Sequence, residues 1–210
     1  MRYWLLLISV ALLIIGCESK EELPILGHRD YVKKEVNGKT VVDTVFHTIP
    51  AFNFVNQDSM PVTEALFKDK LYISDFFFTS CPTICPKVKA QMLRIYEKYE
   101  DNPNVLLISH SIDTKYDTPE RLHKFASKLD IDSKRWHLVT GKKEDIYGMA
   151  KEYFIAAAED PNSPGGYTHS GGLVLVDKRK HVRGVYDGTE PDQVTELLKD
   201  MDRVLAKQFQ

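Results

Sequence analysis

The sequence has no excess of charge of either sign. Its 28 Lys and Arg are nearly matched by 30 Asp and Glu, for a formal net charge of −2 at neutral pH. Binding along a phosphate backbone needs a clustered basic face, so the composition gives no case for nucleic acid as a partner. No internal repeat and no low-complexity tract is present, which removes repeat architectures and biased-composition tails from consideration. Cysteine is scarce: there are three, Cys17, Cys81 and Cys85, and an odd count in an exported chain asks what the odd one is for. Long hydrophobic runs are missing as well. Tyr3 to Ile15, interrupted only by Ser9, would reach about 20 Å as a helix, short of the ~30 Å hydrocarbon core of a bilayer.

What that apolar run can be follows from its flanks. Met1-Arg2 makes a short positive end, and the run closes with Leu13-Ile14-Ile15-Gly16-Cys17 before turning polar at Glu18-Ser19-Lys20. Its length is that of a signal-peptide hydrophobic region. A small residue followed by Cys at this point resembles a bacterial lipoprotein signal. The resemblance implies a signal peptide over residues 1–16, cleavage before Cys17, and lipidation of the Cys17 thiol. Lipid chains contribute about 0.8 kcal/mol per buried CH₂, so a multiply acylated Cys17 would hold the protein stably on a membrane. The expected location is lipid-anchored, facing the periplasm or cell exterior, where thiols tend to oxidise. An ordinary signal peptide or short anchor with an incidental cysteine is the plainer alternative.

Beyond Cys17 the chain divides by composition. Residues 17–30, charged and carrying Pro24 and Gly27, read as a lipidated tether. Residues 31–47 read as an N-terminal β-hairpin, because Asn37-Gly38 separates two strand-like stretches and both positions of a two-residue hairpin turn need positive φ. Residues 48–208 form the main domain. Within it, Leu71–Phe78 and Asn104–Ile112 are apolar strands, Trp136–Val139 a short one, and Gly172–Asp177 with His181–Tyr186 an antiparallel pair. Helices are expected over Lys87–Glu100, from Pro119 behind a Thr118 N-cap to about Leu129, over Lys143–Tyr153, and from Pro191 to about Lys207. Asp160–Ser170 reads as a flexible Pro/Gly/Ser loop. Strands alternating with helices imply a parallel core with right-handed crossovers, and a terminal hairpin with a last helix completes a thioredoxin-like α/β plan: a central mixed sheet flanked by helices.

The segment Phe76-Phe77-Phe78-Thr79-Ser80-Cys81-Pro82-Thr83-Ile84-Cys85-Pro86 joins a buried strand to a helix. Backbone N–H groups at a helix N-terminus favour thiolate over thiol, and thiolate is the form that attacks disulfides and ligates metals. A separation of four sets the sulfurs one helical turn apart on one face. A disulfide or a shared soft metal ion are both compatible with that spacing. Two small buried cysteines of a core are the bland alternative.

A copper site needs more than two ligands, and seven histidines are available. His28 and His47 fall in the tether and hairpin, His110 in a strand, His123 on a polar helix stretch, His137 and His181 at strand ends. All six suit surface or packing roles. His169 differs, lying in Gly165-Gly166-Tyr167-Thr168-His169-Ser170-Gly171-Gly172, immediately before an apolar strand. In a thioredoxin-like plan this loop faces the helix that bears the cysteines. An imidazole with two thiolates suits copper by softness, whereas zinc usually recruits a fourth ligand. The residues alone leave His169 open between ligand and bystander.

Four pieces of the chain together carry a family pattern: FFFTSCPTICP, SHSIDTKYDTPERL, WHLVTGKKEDI and YTHSGGLVLVDKRKHV. Over about residues 48–208 the chain resembles the Sco/SenC family of copper proteins. The resemblance implies that Cys81, Cys85 and His169 are the metal ligands and that one copper ion is held per chain. It implies that Cys81 and Cys85 also serve as a redox-active pair able to form a disulfide. The role implied is assembly of the dinuclear copper centre of cytochrome c oxidase, with the apo copper-centre subunit as partner. Such a protein is mainly a metallochaperone, and thiol–disulfide oxidoreductase activity is the alternative without an obligatory metal. Thr83 stands where many relatives carry an acidic residue, and Thr114-Lys115-Tyr116 replaces a Pro-containing stretch. Neither departure is expected to touch a ligand. Asp113 and Asp117 are candidates either for shaping the site or for capping the loop before Thr118. A peroxiredoxin is excluded by its own motif, since Phe78 and Ser74 stand where a Thr and a Pro would be needed ahead of Cys81.

Overall fold

A computed structural model describes residues 22–209, so the expected signal peptide and Cys17 lie outside the described residues. Asn37 and Gly38 both take positive φ, 53° and 71°, and close a two-residue turn between β1 (Arg29–Val36) and β2 (Lys39–Phe46). Both faces of this hairpin are solvent-exposed; Tyr31 is 70% and Val42 57% accessible. The preceding segment lies against the domain. Leu23 packs on one core, the Leu26 N–H donates to the Val182 carbonyl, and buried Arg183 donates to the carbonyls of Leu23 and Pro24.

The main sheet begins with β3 (Asn53–Asn56) and β4 (Pro61–Thr63), the latter too short to signal itself in the sequence. It continues through β5 (Leu71–Phe77), α1 (Cys85–Lys98), β6 (Val105–Ser111), α2 (Pro119–Leu129), β7 (Trp136–Thr140) and α3 (Lys143–Glu152). A small separate hairpin pairs β8 (Ala157–Glu159) with β9 (Tyr167–His169). β10 (Gly172–Val176), β11 (Val182–Asp187) and α4 (Pro191–Gln208) complete the chain. The sheet order is β11-β10-β5-β6-β7-β3-β4, with β5, β6 and β7 parallel and β10 and β3 antiparallel to their neighbours. This is the thioredoxin-like arrangement: a central mixed sheet flanked by four helices, with an N-terminal hairpin extension.

Every residue of β5 is buried because both faces of the sheet are covered. Leu71, Ile73 and Phe77 pack with α1 residues Val88, Met92 and Ile95 and α4 residues Leu197 and Met201, while Tyr72 and Phe76 pack with Phe52, Phe54 and α3 on the other side. Each fully buried side chain of this size contributes about 1.5–3 kcal/mol of transfer free energy. The helix ends follow local chemistry. Thr118 accepts the Arg121 N–H ahead of Pro119, and α2 stops where Asp130 turns left-handed at φ 53°.

Two expectations change. The Cys–Pro pair is part of the helix: α1 starts at Cys85 rather than Lys87, since Pro86 is pre-set for the first helical turn. His169 sits on a strand rather than in a free loop. Gly165 and Gly166, at φ 83° and 84°, fold residues 160–166 back so that His169 pairs with Ala157.

Candidate metal centre

The connection from β5 to α1 carries both cysteines, Cys81 in the loop and Cys85 at the first helical position. The antiparallel pairing of β10 with β5 decides what meets them. Val174 stands opposite Ser74 and Val176 opposite Tyr72, so β10 begins at the end of the sheet where β5 finishes. The residues just before β10 are thereby delivered to the cysteine loop. His169 Nε2 lies 3.4 Å from Cys85 Sγ. The two sulfurs and one ring nitrogen of His169 all fall within 4.8 Å of one another, and both thiols are free. Among the described residues this is the one group of three or more His, Cys, Asp or Glu so placed.

The two thiols are electrostatically unlike. Burial alone would push Cys81 up, but hydrogen bonds from the Cys85 thiol, the Thr83 and Cys85 backbone N–H groups and the Thr83 hydroxyl together hold it below the ordinary thiol value. Cys85 is only 6% exposed, and burial, reinforced by the neighbouring Cys81, pushes its thiol strongly up. Helix N-terminal stabilisation therefore goes to the sulfur that precedes the helix. Burial pulls the His169 imidazole down, which keeps it neutral and able to donate a lone pair. With its proton on Nδ1, that N–H donates to the Ser170 carbonyl at 3.3 Å and Nε2 faces the sulfurs. A cleft of about 190 Å³ lined by Phe78, Cys81, Thr83, Pro164 and Tyr167 opens the centre to solvent. A surface cleft of about 590 Å³ lies elsewhere, lined by residues from 50–54 and 144–152, and carries no thiol or imidazole.

The surrounding residues hold the two halves together. Asp117, fully buried, accepts the Thr79 N–H at 2.9 Å, the Thr79 hydroxyl at 2.5 Å and the Ser111 hydroxyl at 2.7 Å. It thus pins the cysteine loop to β6. Asp113 accepts the Tyr116 N–H as a loop cap and the Tyr167 hydroxyl at 2.9 Å, tying the histidine strand to the same connection. Both readings of Asp113, cap and site support, hold at once. Thr83 does meet a candidate ligand, contrary to expectation: its hydroxyl is 3.7 Å from Cys81 Sγ.

Two further residues escaped the sequence reading. Asp75, on the α1-facing side of β5, is 1% exposed and accepts the Ser109 hydroxyl, which accepts from Trp136 Nε1 at 2.8 Å. Lys89, one helical turn beyond Cys85, is 6% exposed. Its ammonium lies 4.1 Å from the Phe77 ring centroid and near Phe125 and Trp136, with no hydrogen-bond partner. Burial pushes the Asp75 carboxyl up and pulls the Lys89 ammonium down, and each opposes the effect of burial on the other. The signal was available: a carboxylate inside an otherwise apolar strand, and a lysine on the apolar face of the following helix. The other histidines stand apart from the centre. His110 is fully buried and stacked on Phe76, His137 and His47 are buried, His181 is half-buried, and His28 and His123 are exposed.

The sequence model of a family described as SCO1/SenC matches residues 42–206. A SCO1 protein homolog of Bacillus subtilis is 30% identical over 166 residues, 78% of this chain and 86% of that protein. The crystal structure of a SCO1/SenC family lipoprotein from Bacillus anthracis is 31% identical, covers 75% of this chain and 94% of its own, and superposes with a TM-score of 0.68. BsSco, described as having a disulfide switch and as a member of the Sco family of cytochrome c oxidase assembly proteins, is 30% identical. It covers 75% of this chain and 93% of its own, with a TM-score of 0.65.

Proposed function

The chain belongs to the SCO1/SenC family, and from that premise we propose that it is a lipid-anchored copper carrier serving assembly of the copper centre of cytochrome c oxidase. One observation carries the metal half of this reading: two free sulfurs and a neutral imidazole nitrogen converge within 4.8 Å. Thiolates and imidazole are soft and borderline donors, the set that suits copper. Copper is the cargo. Reduced Cys81 and Cys85 take it up and His169 completes the set from its strand. An acceptor with exposed thiolates, here the apo copper-centre subunit of the oxidase, then exchanges for these ligands. A three-ligand site with an open cleft releases an ion more readily than a closed four-ligand cage.

Anchoring through Cys17 and location at the outer face of a membrane complete the proposal. They are supported by the Gly16-Cys17 signal pattern and by the likeness to a lipoprotein of the same family. Mass analysis of the mature N-terminal peptide tests them.

The decisive metal experiment is a copper titration of the reduced protein and of Cys81→Ser, Cys85→Ser and His169→Ala. We expect one ion per chain and a large loss of affinity in each variant. Unchanged stoichiometry and affinity in all three would end the metal reading.

The unequal thiols support a second reading, thiol reduction of the client. The Cys81 thiolate attacks a client disulfide and expels one client thiolate. The Cys85 thiol, giving up its proton, then displaces the second, leaving a Cys81–Cys85 disulfide and a client dithiol. A client reduced by the metal-free protein, with no copper transferred from the loaded one, would favour this reading over carriage.

A further inference from the structure

The end of the sheet opposite the cysteines carries a run of basic residues. The turn from β10 to β11 is Lys178-Arg179-Lys180, and β10 runs antiparallel to β5 with Val176 opposite Tyr72. That turn therefore lies past the start of β5, at the opposite end of the sheet from Cys81, roughly 20 Å away along a seven-residue strand. The end of α4 reaches the same place. The Lys178 ammonium donates to the Gln208 carbonyl, and Arg203 and Lys207 line one cleft with Glu22 and Leu23.

Counting outward-facing charges gives a local excess. Among the described residues Lys178, Arg179, Lys180 and Arg203 supply four cations. The acids among them are Glu22, 3.6 Å from Arg179, and Asp200, 2.8 Å from Arg203 and largely buried. Asp177 is buried and cancelled by buried Arg183 at 2.8 Å, and Asp202 is paired with Lys98 from α1. His181 sits beside Asp177. Four against two is a positive excess among the described residues of a chain whose overall charge is −2.

This is also where the N-terminal chain arrives. Glu22 bonds to Arg183 at 3.2 Å, Leu23 packs into the core, and Leu26 pairs with Val182. Cys17 lies five residues before Glu22, and five extended residues reach no more than about 17 Å. The exposed β1–β2 hairpin roots at the same end, with the Ile49 N–H donating to the Lys180 carbonyl and the Phe46 ring 5.9 Å from His181.

We infer that the Lys178–Lys180 turn and the last turns of α4 form a docking surface for an anionic lipid bilayer. Held there, the protein presents Cys81, Cys85 and His169 away from the membrane. The inference rests on the proposed anchor at Cys17. Basic side chains near an anionic leaflet contribute about 1 kcal/mol each. The lipid anchor limits distance, and the basic patch selects orientation. A centre facing away from the bilayer can meet an acceptor domain that stands above the same membrane.

Lysine footprinting tests this. The full-length protein is reconstituted in vesicles of phosphatidylcholine alone, or of phosphatidylcholine with phosphatidylglycerol, and acylated briefly with a water-soluble ester. Mass spectrometry reads each lysine. Lys178, Lys180 and Lys207 should label about tenfold more slowly on the anionic vesicles, and high salt should abolish the difference. Lys87, beside the cysteines at the start of α1, should label equally on both. Equal labelling of the patch on both vesicles, or protection of Lys87 instead, would overturn the inference. The triple variant Lys178→Gln, Arg179→Gln, Lys180→Gln should lose the lipid dependence at Lys207 and keep its metal stoichiometry. The lipid and salt comparison on the unaltered protein stands should that variant fail to fold. Protein found free of the neutral vesicles would instead mark failure of the anchor reading. Co-sedimentation of that free protein with anionic but not neutral vesicles would still uphold the patch, and with neither would sink it.

Discussion

Cys85 Sγ and His169 Nε2 lie 3.4 Å apart although 84 residues separate them in the chain. One belongs to the first turn of α1 and the other to the end of β9. Their meeting depends on the cysteine loop, held by Asp117, and the histidine strand, held by Tyr167 and Asp113.

The thiols should react in a fixed order. Cys81 is held below the ordinary thiol value by hydrogen bonds that outweigh its burial, and burial pushes Cys85 up. At neutral pH Cys81 carries the larger thiolate fraction, and only thiolate alkylates. Iodoacetamide should modify Cys81 at least about tenfold faster than Cys85 in the reduced metal-free protein. Timed quenching and peptide mass analysis give both rates, and equal rates would contradict the assignment.

Asp117→Asn should loosen the cysteine loop. An amide keeps the size of the side chain but turns one acceptor into a donor facing the Thr79 or Ser111 groups. Loss of a buried, satisfied acceptor costs about 1–3 kcal/mol. A lower urea midpoint, together with weaker metal binding at unchanged stoichiometry, is expected. Wild-type affinity in a folded Asp117→Asn protein would show that this carboxylate does not set the loop.

Gly165 and Gly166 make a matched pair. Both have positive φ, but a Cβ at Gly165 would come within 2.7 Å of the Phe78 ring, whereas one at Gly166 would meet nothing within 4 Å. Both alanine variants lose about 1 kcal/mol through backbone strain. Only Gly165→Ala also pushes the histidine hairpin off Phe78, whose ring lies 5.8 Å from that of His169. Metal affinity should fall for Gly165→Ala and stay near wild type for Gly166→Ala, as read by competition with a chromophoric chelator.

Stability should decline in mild acid. Burial pulls His110 down to about 3 and His137 to about 4 from an ordinary value of 6.5. The unfolded chain therefore binds protons that the folded chain refuses. Each buried neutral ring contributes stability that is complete above pH 6.5 and is lost progressively as pH falls towards its folded value. At pH 5 the loss is about 2 kcal/mol per ring. Urea unfolding at pH 7 and pH 5 measures it, and His110→Phe should flatten part of the slope. A profile without slope over that range would show that the two rings gain protons without unfolding.

Much of this architecture was legible along the chain because its signals are local. The Asn37-Gly38 turn, Thr118-Pro119 at the start of α2 and the apolar stripe of α4 each arise within a few residues, where φ preferences and side-chain periodicity act. Asp75, Lys89 and the β8–β9 hairpin take their meaning from contacts far along the chain. A carboxylate in a buried strand means something only when the helix above it brings a lysine, and two three-residue strands are too short to show a period.

The sequence by itself determined the kinds of donor: two cysteines four apart ahead of a proline-started helix, and one histidine ahead of an apolar strand. Only the tertiary structure decided that these donors meet, that Cys81 and Cys85 differ in acidity, and that the basic turn Lys178–Lys180 faces away from them. The reason is that strand pairing is non-local. The register of β10 against β5, set by burial of both faces of the sheet, fixes which loop stands over which end, and burial is a property of the packed layers rather than of any single segment.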